Sequence, residues 1–174
     1  MPKRIGYLAE KIYDIKNIEF ADQNARKGKK SKYGVIKHDK HREEHIQEIH
    51  AMLKDGTMKV SPYRIEKIRE YSGNKLKERT LKKLPYFPDR IVQWAIMNVL
   101  VPIWDKLFIA QTYSCIIGRG IHKCVKDVQK ALKKDVKGTK YCLQLDIRKY
   151  YDNVDNEILK TILAKKIKDN LVLT

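Results

Sequence analysis

Apolar residues recur at helical spacing from Tyr7 to about Lys27, at Leu8, Ile12, Ile15, Ala21 and Ala25, and this predicts an amphipathic helix ended by Gly28. A second such pattern runs from Asp39 to Asp55, with Ile46, Ile49 and Leu53 inward and Gly56 as the C-terminal stop. The stretch between, Lys27 to Lys40, is basic and holds Gly28 and Gly34, so it reads as a mobile loop. From Pro88 to Phe108 apolar residues dominate, predicting a largely buried helix that Pro102 should kink. Shorter helices are expected over Ile121 to Lys134 and from Asp155 onward. In the latter the Asp155 side chain makes a good N-cap, and Ile158, Leu159, Ile162 and Ile167 are presented.

The period changes in two places. Tyr63 to about Leu84 has strand character around the turn Ser72-Gly73-Asn74-Lys75, which predicts a β-hairpin with basic residues on both arms, although Ile65 and Ile68 break strict alternation. The segment Lys140 to Asp146 alternates as a strand. Tyr141, Leu143 and Leu145 should face the core, with Cys142, Gln144 and Asp146 opposite. The pattern as a whole is α+β, mainly helical, without internal repeats or low-complexity tracts.

Charge sharpens this picture. Thirty-eight Lys and Arg against 21 Asp and Glu give a formal net charge of +17. Such a field concentrates polyanions, of which nucleic acid is the commonest. No run of about eighteen apolar residues and no signal-peptide pattern occurs, so a soluble, cytoplasmic protein without a membrane partner is expected. The three cysteines, Cys115, Cys124 and Cys142, lack paired metal-ligand spacing and read as reduced, mostly buried thiols.

Candidate chemistry centres on Tyr141 to Val154. A carboxylate ending a strand just before a turn, as Asp146 does, is placed either to cap that turn or to hold Mg²⁺, which prefers a few carboxylates plus substrate phosphates. The pattern apolar-x-apolar-Asp146, three residues, then Tyr150-Tyr151-Asp152 resembles the first catalytic motif of reverse transcriptases. Two further motifs occur in the family's order. Lys82 to Ile96, with Pro85, Asp89-Arg90 and Gln93, resembles its fingers motif. Thr112 to Lys123, with Tyr113-Ser114, Gly118-Arg119-Gly120 and His122, resembles the motif that follows. The chain is thus similar, over nearly its whole length, to bacterial group II intron-like reverse transcriptases, particularly those of diversity-generating retroelements. Asp14 to Lys29 resembles their opening helix, whereas the Gly-Ile-Asp-Gly loop usual in group II maturases is absent.

The resemblance implies fingers over residues 1–125 and the start of a palm over 126–174, with RNA-directed DNA synthesis as the activity of the full-length parent. Asp146 and the carbonyl of Ile147 would hold catalytic Mg²⁺. The amides of Lys149 and Tyr150 would touch the incoming deoxynucleoside triphosphate, and Tyr151 would lie under its sugar and exclude a 2′-hydroxyl. On the hairpin, Arg69 and Arg79, or Lys75 or Lys77 by virtue of the longer turn, would meet the triphosphate, since guanidinium groups bind phosphate bidentately. Gly118, Arg119 and Gly120 would line the path of an RNA template and a DNA or RNA primer, although Ile116 stands where relatives often carry a basic residue. Protein partners are left open.

The family's later motifs do not follow. No Asp-Asp pair occurs, so the Tyr-x-Asp-Asp turn that supplies two more metal-binding carboxylates is lacking. The expectation is therefore an N-terminal part of a polymerase, inactive by itself. The alternatives are a non-catalytic nucleic-acid-binding module derived from a reverse transcriptase, and a basic helical interaction protein with relic motifs. His122 reads as a structural hydrogen-bonding residue. His41-Arg-Glu-Glu-His45 matches the H-x-x-E-H metalloprotease signature, but it lacks a third ligand and reads as an exposed helical face.

Overall fold

A computed structural model describes residues 4–73 and 75–173, and of these all side chains but those of residues 72, 75 and 77. They form two compact units, Met1–Leu100 with Leu163–Thr174, and Val101–Ile162. These boundaries differ from the 125/126 division, which follows functional subdomains of the family.

In the first unit the opening helical pattern is split into α1 (Leu8–Tyr13) and α2 (Ile15–Ala25). The break falls at Asp14, whose extended backbone (φ −56°, ψ 131°) leaves the helix while its carboxylate accepts from the Asn17 amide at 3.2 Å. This is an N-cap, and it explains why the apolar spacing continues while the hydrogen-bond ladder restarts. The expected mobile loop is corrected in part. Tyr33–Asp39 forms α3, with Val35 and His38 buried. Gly34 is what lets it close in, because a Cβ there would meet Tyr86 Cβ at 3.0 Å. Next come α4 (Arg42–Lys54) and a hairpin of β1 (Arg64–Ser72) and β2 (Lys75–Lys83). A π-type turn over Tyr86–Arg90 then leads into α5 (Ile91–Leu107).

The core is formed by Ile12, Ile18, Ala21, Ile46, Ile49, Ile91, Val92 and Ala95, contributed by α1, α2, α4 and the start of α5. Amides stitch the same elements together. Asn17 Nδ2 donates to the carbonyls of Ile12 and Ala95, and Asn98 bridges Asn17 and Asn24. The C-terminal residues return to this unit. Ile167 is buried and pairs with Ile5, and Asp169 accepts from the amides of Tyr7, Leu8 and Ala9 at the start of α1.

Asp22 is the chief buried charge. Arg26, Arg42 and Tyr86 donate to its carboxylate at 2.7–2.8 Å, 2.9 Å and 2.6 Å, and His38 Nε2 approaches to 3.4 Å. Burial by itself would raise its pKa. The contacts from His38, Arg26, Tyr86 and Arg42 outweigh that and hold the carboxyl well below the usual range. Burial, reinforced by Asp22, pushes the Tyr86 phenol up. Local spacing shows only the Arg26 pair four residues on, because the other partners, His38, Arg42 and Tyr86, come from three other elements.

The second unit holds the rest of α5, α6 (Ile121–Lys134), α7 (Tyr150–Asn153) and most of α8 (Asn156–Ala164). None of its residues is buried. Ile121, Val125, Val128 and Leu132, one stripe of α6, are all about half exposed or more. The short α9 (Asn170–Leu173) belongs to the first unit. Among the described residues no helix is long and apolar enough to cross a membrane.

Candidate nucleotide and nucleic-acid site

The expected strand over Lys140 to Asp146 is corrected: residues 141–147 belong to no strand. A strand exists only by hydrogen bonding to a neighbour, and among the described residues the sole sheet is the β1–β2 pair. Its apolar positions do not face a core either, with Tyr141, Leu143 and Leu145 each more than four-fifths exposed. Asp146 and Ile147 lie on this exposed segment. The chain then turns at Lys149, which adopts a left-handed conformation (φ 51°) and starts α7. Its carbonyl accepts from the Asp152 and Asn153 amides at 3.1 and 3.2 Å and from Asn153 Nδ2 at 3.0 Å. Tyr150 and Tyr151 pack edge to face with ring centres 5.4 Å apart, and Tyr151 is 93% exposed. Tyr151 thus takes no part in a core among the described residues. Asp155 caps α8 as expected, accepting from the amides of Glu157 and Ile158.

In the same unit Gly118 takes φ +79°, a region open to glycine, and Gly120 precedes the first turn of α6. Arg119 Nη1 donates to the Ile109 carbonyl at 3.3 Å. Tyr113 holds this turn to α6 by donating its hydroxyl to Asp127 at 2.9 Å, and Lys123 pairs with the same carboxylate at 2.7 Å along the helix. Lys123, with Tyr113, lowers the Asp127 pKa, and Asp127 raises that of Tyr113. The expected structural hydrogen bond of His122 is not made among the described residues; the ring is exposed at the start of α6. The thiols are free as expected, but Cys115 and Cys142 are exposed rather than buried.

The hairpin belongs to the first unit. Its register pairs Arg69 with Glu78 and Ile68 with Arg79. Side chains of directly opposed residues share a face, so Arg69 and Arg79 leave opposite faces of the ribbon. Arg69 lies 3.9 Å from Glu78, which also binds Lys67, and Arg79 lies 3.3 Å from Glu70. The Lys75 and Lys77 side chains lie outside the described residues. The same two-residue period places Ile65 and Ile68 on opposite faces, which accounts for the broken alternation. In the H-x-x-E-H stretch, His45 stacks on Phe87 with ring centres 3.7 Å apart and meets His38 nitrogen to nitrogen at 3.0 Å, so it serves packing. Glu43 and Glu44 are exposed as expected.

Magnesium coordinated by a protein needs oxygen ligands at near-octahedral positions, usually one or two carboxylates completed by waters and phosphates. Among the described residues no group of three Asp, Glu, His or Cys could hold a metal ion. Asp146 offers a single exposed carboxylate, so the described residues do not by themselves build a two-metal centre.

The basic hairpin, the Gly118–Gly120 turn and the exposed stretch from Asp146 to Tyr151 follow one another along the chain. Sequence comparison shows what the chain resembles. The chain is 27% identical over 158 residues, 90% of its length, to the group II intron-encoded protein LtrA of Lactococcus lactis subsp. cremoris. It is 25% identical over 89 residues, 51% of its length, to the nuclear intron maturase 1, mitochondrial, of Arabidopsis thaliana. It is also 25% identical over 85 residues to an uncharacterized mitochondrial protein, ymf11, of Marchantia polymorpha. The chain is thus similar to group II intron-encoded proteins over nearly its whole length, as the motifs indicate. It spans about a quarter of the length of LtrA, and 12% and 11% of the other two. No protein-family model matches it.

Proposed function

We propose that this chain forms the fingers and the beginning of the palm of a group II intron-like RNA-directed DNA polymerase. In this reading it contacts an RNA template, a primer and the incoming deoxynucleoside triphosphate. The observation that carries the reading is the match to LtrA across 90% of the chain, with three reverse-transcriptase motifs in order. The exposure of Asp146, Tyr150 and Tyr151 supports it, because groups that meet substrate must be reachable. Within a longer protein Asp146 and the Ile147 carbonyl would hold part of a Mg²⁺ site, whose ion would supply Lewis-acid chemistry for phosphoryl transfer, with further carboxylates needed to complete it. Tyr151 stands against the nucleotide sugar, Lys149 and Tyr150 present their amides to phosphate, and Gly118, Arg119 and Gly120 allow close approach of the template and primer backbones. Arg69, Arg79 and Lys75 bring positive charge to the triphosphate.

The test is a chimera in which this chain replaces the matched 158 residues of LtrA. Primer extension on an RNA template by the chimera, lost on Asp146→Asn with an unchanged melting curve, is the expected result. Extension that survives Asp146→Asn overturns the assignment.

A further inference from the structure

Helix α3 is held to the first unit by few anchors. Of its residues only Val35 and His38 are buried, and Asp39 at its end pairs with Arg26 at 2.7 Å. His38 carries most of the polar anchorage. Its Nδ1 lies 3.0 Å from Nδ1 of His45 on α4, and the two rings stack with centres 5.1 Å apart. Its Nε2 is shielded from solvent, 3.4 Å from Oδ1 of Asp22 and without a well-formed hydrogen bond. His45 is half-buried and stacks in turn on Phe87.

Two ring nitrogens at hydrogen-bond distance need one N–H and one lone pair between them. Beside the anionic Asp22, His38 Nε2 carries the hydrogen, because a lone pair there would face the carboxylate. His38 Nδ1 is then the acceptor of the neutral pair and His45 Nδ1 the donor. A first added proton fits on His45 Nε2 and leaves this bridge intact. A second must land on His38 Nδ1, where it sets two N–H groups against each other at 3.0 Å and two imidazolium rings in contact.

The surroundings resist that second charge. Asp22 is the near carboxylate on α2, but Arg26, Arg42 and Tyr86 already donate to it. On α4, His41 stands 5.8 Å from the His45 ring, and Glu44 and Glu48 oppose it only in part. Lys37, Arg64, Lys83 and Arg90 line the cleft beside both histidines, and among the described residues no carboxylate does. Burial, followed by His38 and His41, pushes the His45 pKa below its ordinary 6.5.

We propose that the His38–His45 pair is an acid-sensitive latch: it holds α3 against α4 while the two rings share at most one added proton, and a second proton releases α3. Release moves one wall of the cleft between α3 and the foot of the hairpin, so the latch sets how far that cleft stands open. The device uses none of Asp146, Tyr151, Arg69 or Arg79 and stands independently of the polymerase reading. Its pH window follows from the depressed His45 value. The released form takes up protons first as pH falls, so the closed form is fully favoured above about 6.5 and loses ground below it.

The experiment measures amide hydrogen exchange of the full chain from about pH 7.5 to about pH 5, corrected for intrinsic rates. Protection of the α3 amides should fall about ten-fold or more across this range, while that of α2 changes less than about two-fold, since one extra proton shifts an equilibrium up to ten-fold per pH unit. His45→Phe keeps a ring on Phe87 but takes up no proton, and its α3 protection should vary less than about two-fold. Imidazole ¹H–¹⁵N spectra of the parent read the pair directly even if that variant fails to fold: one Nδ1 should be protonated and the other not at neutral pH, and both should be protonated only as α3 protection is lost. Constant α3 protection in the parent, a loss confined to the acid range below about 3.9 where Asp22 titrates, an undiminished pH response in folded His45→Phe, or two imidazolium rings under a protected α3 would each overturn the proposal.

Discussion

Tyr86 donates its phenol to the carboxylate of Asp22 at 2.6 Å, joining residues 64 positions apart. The bond ties the turn that leads into α5 to the middle of α2. It completes a shell in which Asp22 also meets Arg26, Arg42 and His38. Tyr86→Phe removes one donor to a buried anion and should cost about 1.5–3 kcal/mol, the usual worth of a hydrogen bond to a charged group. Urea unfolding of the two proteins checks this, and a loss below the lower bound would mean that the other partners compensate.

Asp22→Asn should be more severe, up to about 3–5 kcal/mol at neutral pH, because it removes the buried charge shared by two half-buried guanidinium groups and leaves only the more exposed Asp39 and Glu43 to pair with them. The pH profile follows from the direction of the Asp22 shift. Its folded pKa is depressed, so the unfolded chain takes up the proton first as pH falls. The contribution of this group is fully present well above the unfolded value of about 3.9 and is lost as pH falls below it toward the folded pKa. Melting temperatures of the parent should therefore drop in that acid window, and Asp22→Asn should flatten the drop. Parallel profiles for the two would reject the assignment.

Asp169 caps α1 from the far end of the chain, accepting from three successive amides. Asp169→Ala should cost about 0.5–2 kcal/mol, as cap losses do. The loss should be local. Amide exchange should quicken at Leu8 to Tyr13 before it does in α4, and a uniform increase throughout the unit would argue against a cap.

Tyr151 is exposed, so its truncation should leave the melting temperature of the chain unchanged. In the LtrA chimera, Tyr151→Ala should raise ribonucleotide incorporation relative to deoxyribonucleotide by roughly ten- to hundred-fold, the equivalent of an overpacking cost of about 1–3 kcal/mol. An unaltered ratio would remove Tyr151 from the sugar.

Cys115 and Cys142 are exposed and Cys124 is partly covered. A thiol reagent should modify the first two in the native protein well ahead of Cys124, as mass spectrometry of early time points would reveal; equal rates would mean that α6 does not shield it.

The amino-acid pattern by itself determined those elements whose signals are local. Helix α6 begins and ends where its apolar stripe does, the hairpin forms around Gly73, and Asp155 caps α8, because each depends on neighbours a few residues away. The order of the three motifs likewise lay open in the sequence, since it requires no contact. Only the tertiary structure decided that Tyr33–Asp39 is a helix, since Val35 and His38 gain their burial from distant elements such as the turn at Tyr86. It also made Asp22 the hub of a charged cluster, and it left 141–147 unpaired despite ideal alternation. An alternating pattern states which residues share a face. It does not supply the strand that must lie alongside, and without that neighbour the backbone hydrogen bonds of a sheet cannot form.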